Sequence, residues 1–166
     1  MKPAEKNLVG AWTSPPRKLI RLEYSSLYFY IIAVAVLLSF LTNFGYSSLL
    51  EPFLFLKSNG PNAYTTFQNT YMVSHEWWRL ITPTFLHFSL THLIFNCLWI
   101  YILGSKIEII DGRGVFLILF LISGLSSNLG QYFLTGDYLF GGLSGAVYGL
   151  LGYCFILDLD NKGQRY

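Results

Sequence analysis

The stretch Phe140-Gly141-Gly142-Leu143-Ser144-Gly145-Ala146-Val147-Tyr148-Gly149 sets a serine among glycines at the mouth of an apolar run. Glycines leave the backbone N–H groups beside a hydroxyl open, so a tetrahedral oxyanion can be held there, and they let another helix approach closely. Ser144 is therefore a candidate nucleophile. A second reading stays open. Gly141, Gly145 and Gly149 recur every fourth residue, the small-residue pattern of tightly packed membrane helices, in which a serine is often a packing residue. The run is not the nucleophile elbow of soluble hydrolases, because Ala146 stands where that motif needs a second glycine.

The surrounding chain says where such a helix lives. Of 166 residues, 53% are hydrophobic and 12% charged, whereas a soluble domain carries about 25% charged residues. The composition predicts a membrane protein of one domain. A net charge of +2 gives no argument for nucleic acid, and the basic residues gather near the N-terminus, as expected of a cytoplasmic end. Cys97 and Cys154 fall inside apolar runs and read as buried thiols. Without a CxxC or HExxH pattern, no metal and no cofactor are predicted.

Residues 1–26 read as a short basic cytoplasmic tail, with Lys2, Lys6, Arg17, Lys18 and Arg21 among prolines. Four apolar segments follow as predicted transmembrane helices, at about 27–44, 92–110, 115–134 and 142–157. Residues 27–158 would form the transmembrane domain and 159–166 a polar cytoplasmic end. Between the first two spans lies a long connection interrupted by Pro52, Pro61 and Pro83. Its aromatic residues and isolated charges Lys57, Glu76 and Arg79 suit pieces lying in the membrane interface.

Counting spans puts Ser144 and His92 near the same, outer, membrane face. His92 and Asn96, at i and i+4, share one side of a helix and would present two hydrogen-bond donors to one point. The alternative is an interhelical polar clamp.

Three stretches in this order resemble the rhomboid intramembrane serine proteases, and closely the bacterial type: Trp78-Arg79, His87-Phe88-Ser89-Leu90-Thr91-His92-Leu93-Ile94-Phe95-Asn96, and Phe140 to Tyr148. The resemblance implies an all-α rhomboid-like bundle and cleavage of peptide bonds in or near transmembrane helices of other membrane proteins. By it, Ser144 matches the nucleophile, and His92 and Asn96 match the side chains that stabilise the oxyanion with the Ser144 backbone N–H. Gly142 and Gly145 belong to the same motif. Arg79, His87 and Glu108 match residues of architecture, His87 by bracing the loop. Ser127 and Gln131 match residues that hold water on its way to the serine, and Tyr148 the aromatic on which the catalytic histidine rests.

Two departures accompany the match. Family members supply the general base from a later span, and here His75, His87 and His92 all precede Ser144. The chain therefore reads as truncated before that helix and inactive alone. The faces carrying Gly145, Tyr148, Gly149 and Gly152 are expected to lack intrinsic packing partners. Pro83 stands where relatives can carry a polar residue of the water pocket.

The implied partners are substrate transmembrane segments and the lipid bilayer, in a bacterial inner membrane with the N-terminus cytoplasmic; oligomeric state is left open. Two rivals remain: a non-catalytic rhomboid-like protein that binds client transmembrane helices, and a structural subunit in which Ser144 and His92 only pack.

Overall fold

A computed structural model describes residues 26–60 and 63–160. Nearly all of the predicted basic tail (1–26) and most of the polar end (159–166) lie outside them. Four helices carry the fold: α1 (Leu27–Leu41), α2 (Leu90–Ile110), α3 (Arg113–Thr135) and α4 (Ser144–Asp160). Only α2 and α3 are both long and apolar enough to cross a membrane; α1 and α4 are shorter apolar helices. At 1.5 Å per residue the two long ones reach roughly 32 and 35 Å, against a hydrocarbon core of about 30 Å.

The helix limits depart from the sequence expectation for local reasons. The first helix stops at Leu41, three residues early, because Asn43, Phe44 and Gly45 all take positive φ (47°, 53° and 96°). Ser89 caps α2, its hydroxyl accepting the His92 backbone N–H at 3.2 Å, so that helix begins at Leu90. The fourth helix begins at Ser144 rather than at 142, since Gly142 has φ +132°, outside the helical region, and continues to Asp160.

A buried cluster joins all four helices, with Tyr28, Ile31 and Ala35 of α1 in one core with Leu93, Ile100, Phe116, Phe120, Ala146 and Leu150. Large apolar side chains also cover the outside, among them Phe40, Phe95, Ile118, Ile122 and Phe155. That pattern suits a surface solvated by lipid rather than water. Near the joint of the second and third helices, the buried Glu108 carboxylate accepts the backbone N–H of Tyr28 at 2.7 Å and faces Arg113 at 3.6 Å.

Antiparallel α3 and α4 meet through their small residues. A side chain at Gly145 would run into Ser127, and one at Gly149 into Ser123. The expectation that this glycine face lacks an intrinsic partner is thus corrected for Gly145 and Gly149; only Gly152, with nothing within 4 Å, and the exposed Tyr148 remain uncovered.

The connection 42–89 is folded rather than extended. It contains short helical turns and a small antiparallel hairpin, β1 (Ser58–Gly60) and β2 (Ala63–Tyr64). Phe55 and Tyr71 are fully buried against Tyr132 and Phe140, and the Tyr71 hydroxyl donates to the Phe55 carbonyl at 2.6 Å. Its charges are not isolated, as the sequence had suggested. The Arg79 guanidinium, 3% exposed, pairs with Glu76 (2.6 Å) and Glu51 (2.9 Å) and donates to the carbonyls of Glu51 and Leu54; Lys57 pairs with Glu76 at 2.7 Å. Burial opposes ionisation of Glu76, but hydrogen bonds from Lys57 and Arg79 outweigh it and hold the carboxyl below its ordinary range.

Candidate active site

The approach to Ser144 is tied down residue by residue. The Gly142 N–H donates to the Pro83 carbonyl at 3.0 Å, and the Leu143 N–H to His87 Nε2 at 3.4 Å. Gly141 lies so close to the loop that a side chain there would begin 2.7 Å from both Leu86 Cβ and the Pro83 oxygen. Residues 141–143 therefore run against 83–87 and deliver the chain to the first turn of α4. Ser144, half-buried, opens that turn. Its own N–H and that of Gly145 have no acceptor among the described residues, as the first turn of a helix leaves them. These amides and the helix dipole favour negative charge at this point.

His92 and Asn96 face Gly142 from α2. A side chain at Gly142 would begin 2.6 Å from His92 Cε1, 3.0 Å from His92 Nε2 and 3.5 Å from Asn96 Nδ2. The missing Cβ is what lets the imidazole and the amide approach the backbone two residues before Ser144. No described residue bonds either ring nitrogen of His92. Asn96 is buried and donates through Nδ2 to His87 Nε2 at 3.1 Å. One amide hydrogen is thereby engaged, and the second has no acceptor among the described residues.

His87 is the junction of this arrangement. Its ring is 1% exposed, Nδ1 lies 3.2 Å from the Phe85 carbonyl and 3.5 Å from Ser39 Oγ of α1, and the ring meets that of His92 edge-on at 5.1 Å. Burial, reinforced by the neighbouring His92, pushes its pKa down to about 4. It is neutral at physiological pH.

The supporting residues divide into those near this centre and those remote from it. Ser127 lies across from Gly145, one position after Ser144. Gln131 is exposed one turn further along α3 and donates to Thr135 Oγ1 at 3.4 Å. Tyr148 is 74% exposed on the free face of α4, one turn beyond Ser144. Arg79 locks the loop, and Glu108 sits at the far ends of the helices.

Sequence reasoning counted Asn128 only among the polar residues of the third span, many of which must point at other helices, and did not foresee that it fastens the loop. Its buried amide donates to the Leu80 carbonyl (2.8 Å) and to Thr84 Oγ1 (3.0 Å), fastening the 80–87 segment onto α3. Ser39 and Glu51 also went unread. The available signal was a lone polar residue within an apolar run for Ser39, and for Asn128 the polar cluster Ser126-Ser127-Asn128 inside a predicted span; Glu51 had none. Pro83, noted in the sequence only as a departure, contributes its carbonyl to both Gly142 and Leu86.

Residues 74–165 match the family model described as Rhomboid domain, more than half of the chain. Among curated proteins, the chain is 35% identical over 100 residues to the rhomboid protease GluP of Bacillus subtilis (strain 168), covering 60% of this chain and 20% of that protein. It is 44% identical over 88 residues to the rhomboid protease GlpG of Pectobacterium atrosepticum, covering 53% of this chain and 30% of the relative. The match thus spans less than a third of either relative's length. With its helical architecture and apolar exterior, the chain is an integral membrane protein and belongs to the rhomboid family, in its bacterial branch.

Proposed function

We propose that this chain carries the nucleophile and oxyanion-binding half of an intramembrane serine endopeptidase that cuts peptide bonds in or near transmembrane helices. The observation that carries the proposal is the meeting of His92 and Asn96 on the bare face of Gly142, beside first-turn amides of α4 that have no acceptor among the described residues. In the reaction, a base takes the proton from Ser144 Oγ as the oxygen attacks the scissile carbonyl carbon. The oxyanion that forms is held by His92, the free hydrogen of Asn96 and the Ser144 N–H. Removing one such donor costs about 2.7–4 kcal/mol in hydrolases. Collapse breaks the C–N bond, the base returns the proton to the departing amine, and water hydrolyses the acyl-enzyme. Ser127 and Gln131 would lead that water in.

The base is proposed to come from outside the described residues. His87 uses both ring nitrogens structurally, His92 is assigned to the oxyanion, and His75 lies exposed in the loop. A serine hydroxyl without a base is a weak nucleophile, so this chain alone is proposed to be inactive. The exposed Tyr148 would support the incoming histidine. All four helices are proposed to span a bacterial inner membrane with the N-terminus cytoplasmic, residues 27–158 forming the rhomboid-like domain. Substrate transmembrane segments would approach within the bilayer.

The test is co-expression with the last spans of a complete rhomboid relative and a membrane-anchored reporter. Cleavage that is lost in Ser144→Ala supports the proposal; cleavage that survives Ser144→Ala contradicts it. A folded pair that never cleaves but still captures the reporter would favour a client-binding protein instead.

A further inference from the structure

The two backbone neighbours of His87 settle where its proton sits. The Phe85 carbonyl can only accept, so Nδ1, 3.2 Å away, carries the hydrogen; the Leu143 N–H can only donate, so Nε2, 3.4 Å away, presents its lone pair. Asn96 must then turn its NH2 group, not its oxygen, toward the same lone pair. Ser39 Oγ, which donates to the Ala35 carbonyl at 2.7 Å, has lone pairs left to share the Nδ1 hydrogen. One imidazole thus joins the loop, α1, α2 and the entrance to α4.

We infer that His87 is a positioning residue: its Nε2 lone pair fixes both the orientation of the Asn96 amide and the register of residues 141–143 ahead of Ser144. The inference concerns Asn96 and Leu143 as placed groups; only its bearing on catalysis rests on the function proposed above. With Nε2 as acceptor, one Asn96 hydrogen is held and the other is left to point away from His87. Lose that acceptor and the amide is free to rotate through 180°, presenting its oxygen where a donor is needed. The Leu143 N–H loses its acceptor at the same time, and of the two hydrogen bonds that tie residues 141–143 to the loop among the described residues, the one from Gly142 to Pro83 remains.

A proton on Nε2 would do the same without any mutation. It would set a third donor against the two from Asn96 and Leu143. Of the groups facing the ring, Ser39 from α1, Phe85 from the loop, Asn96 from α2 and Leu143 from the entrance to α4 carry no charge; among the described residues His92 from α2 is the one titratable neighbour, and its protonation repels a second cation. Acid should therefore move Asn96 and Leu143 together, as one event governed by His87.

The experiment is nuclear magnetic resonance of the full chain in bicelles, with nitrogen-15 in histidine rings, asparagine amides and leucine backbones. The expected result at pH 7 is hydrogen on Nδ1 and a bare Nε2 for His87. On acidification its ring should titrate well below 6.5, with the Asn96 side-chain and Leu143 backbone signals shifting at the same midpoint. Hydrogen on Nε2 at pH 7, or Asn96 and Leu143 signals that ignore His87 protonation, would overturn the inference. Two variants sharpen it. His87→Gln can return an acceptor near the Nε2 position and should keep the Asn96 signal close to the parent's, whereas His87→Asn reaches only the Nδ1 position and should not. Equal behaviour of the two in folded samples would contradict the lone-pair role, and the parent titration decides if either fails to fold. None of these signals needs Ser144 to react. Expected spectra with a permanently inert Ser144 would remove the proposed function and leave the His87 inference standing.

Discussion

Glu108 and Tyr28 are 80 residues apart, yet the Glu108 carboxylate accepts the Tyr28 backbone N–H at 2.7 Å, so the end of α2 caps the start of α1. Ser26, at the cap position of α1, makes no side-chain capping bond of its own. Glu108→Ala should lower stability by about 1–3 kcal/mol, the range for lost caps and buried charged hydrogen bonds. Glu108→Gln keeps an acceptor oxygen and should cost less. Thermal unfolding in detergent checks the order parent, Gln, Ala; an Ala variant as stable as the parent would contradict the clamp.

Gly149 and Ser123 make a second checkable pair, because a β-carbon at 149 would overlap the serine side chain. Gly149→Ala should destabilise by about 1–3 kcal/mol, as overpacking does. Adding Ser123→Gly should return much of that loss, a coupling that a double-mutant cycle measures. Additive effects would mean the two helices do not meet there.

Arg79 holds four loop contacts with one planar fork, two to carboxylates and two to carbonyls. Lysine has no such fork. Arg79→Lys should still leave acceptors unserved and open the loop to added protease at bonds between residues 46 and 76, and Arg79→Ala should do so more strongly. Breaking one partner out of a buried pair typically costs about 3–5 kcal/mol. Protease resistance equal to the parent's in both variants would deny the loop its latch.

The buried His87 gives stability a pH dependence of defined sign. Its folded-state pKa of about 4 lies below the ordinary value of 6.5, so between those limits the unfolded chain binds the proton and the folded one does not. The stabilisation is complete above pH 6.5 and is lost as pH falls toward 4, to a total of about 3 kcal/mol. Unfolding midpoints of the parent should fall across that window, and those of His87→Gln should fall less. A parent curve that rises on acidification would reverse the argument.

How much of this was legible beforehand follows from where each interaction lives. The motif around Ser144 and the i, i+4 relation of His92 and Asn96 are local patterns, and both led to one face of Gly142. The apolar runs located the helices to within a few residues. Their ends were misplaced because Phe44 and Gly142 read as apolar or small while their backbones turn out of the helix. The loop network was illegible for a different reason. Glu51, Lys57, Glu76 and Arg79 have no shared period, and they meet only after Phe55 and Tyr71 dock on Tyr132 and Phe140. The same holds for His87: nothing in its spacing reveals that its acceptors and donors come from four separate segments.

The most direct measurement is fluorophosphonate labelling of Ser144 in intact membranes, with Ser144→Ala and His92→Ala beside the parent, alone and with the last spans of a complete relative supplied. Labelling is expected only when those spans are present, abolished in Ser144→Ala and reduced at least about tenfold in His92→Ala. Labelling of the chain alone would contradict the proposal that the base comes from outside the described residues, and a folded, complemented chain whose Ser144 never reacts would contradict the proposed nucleophile.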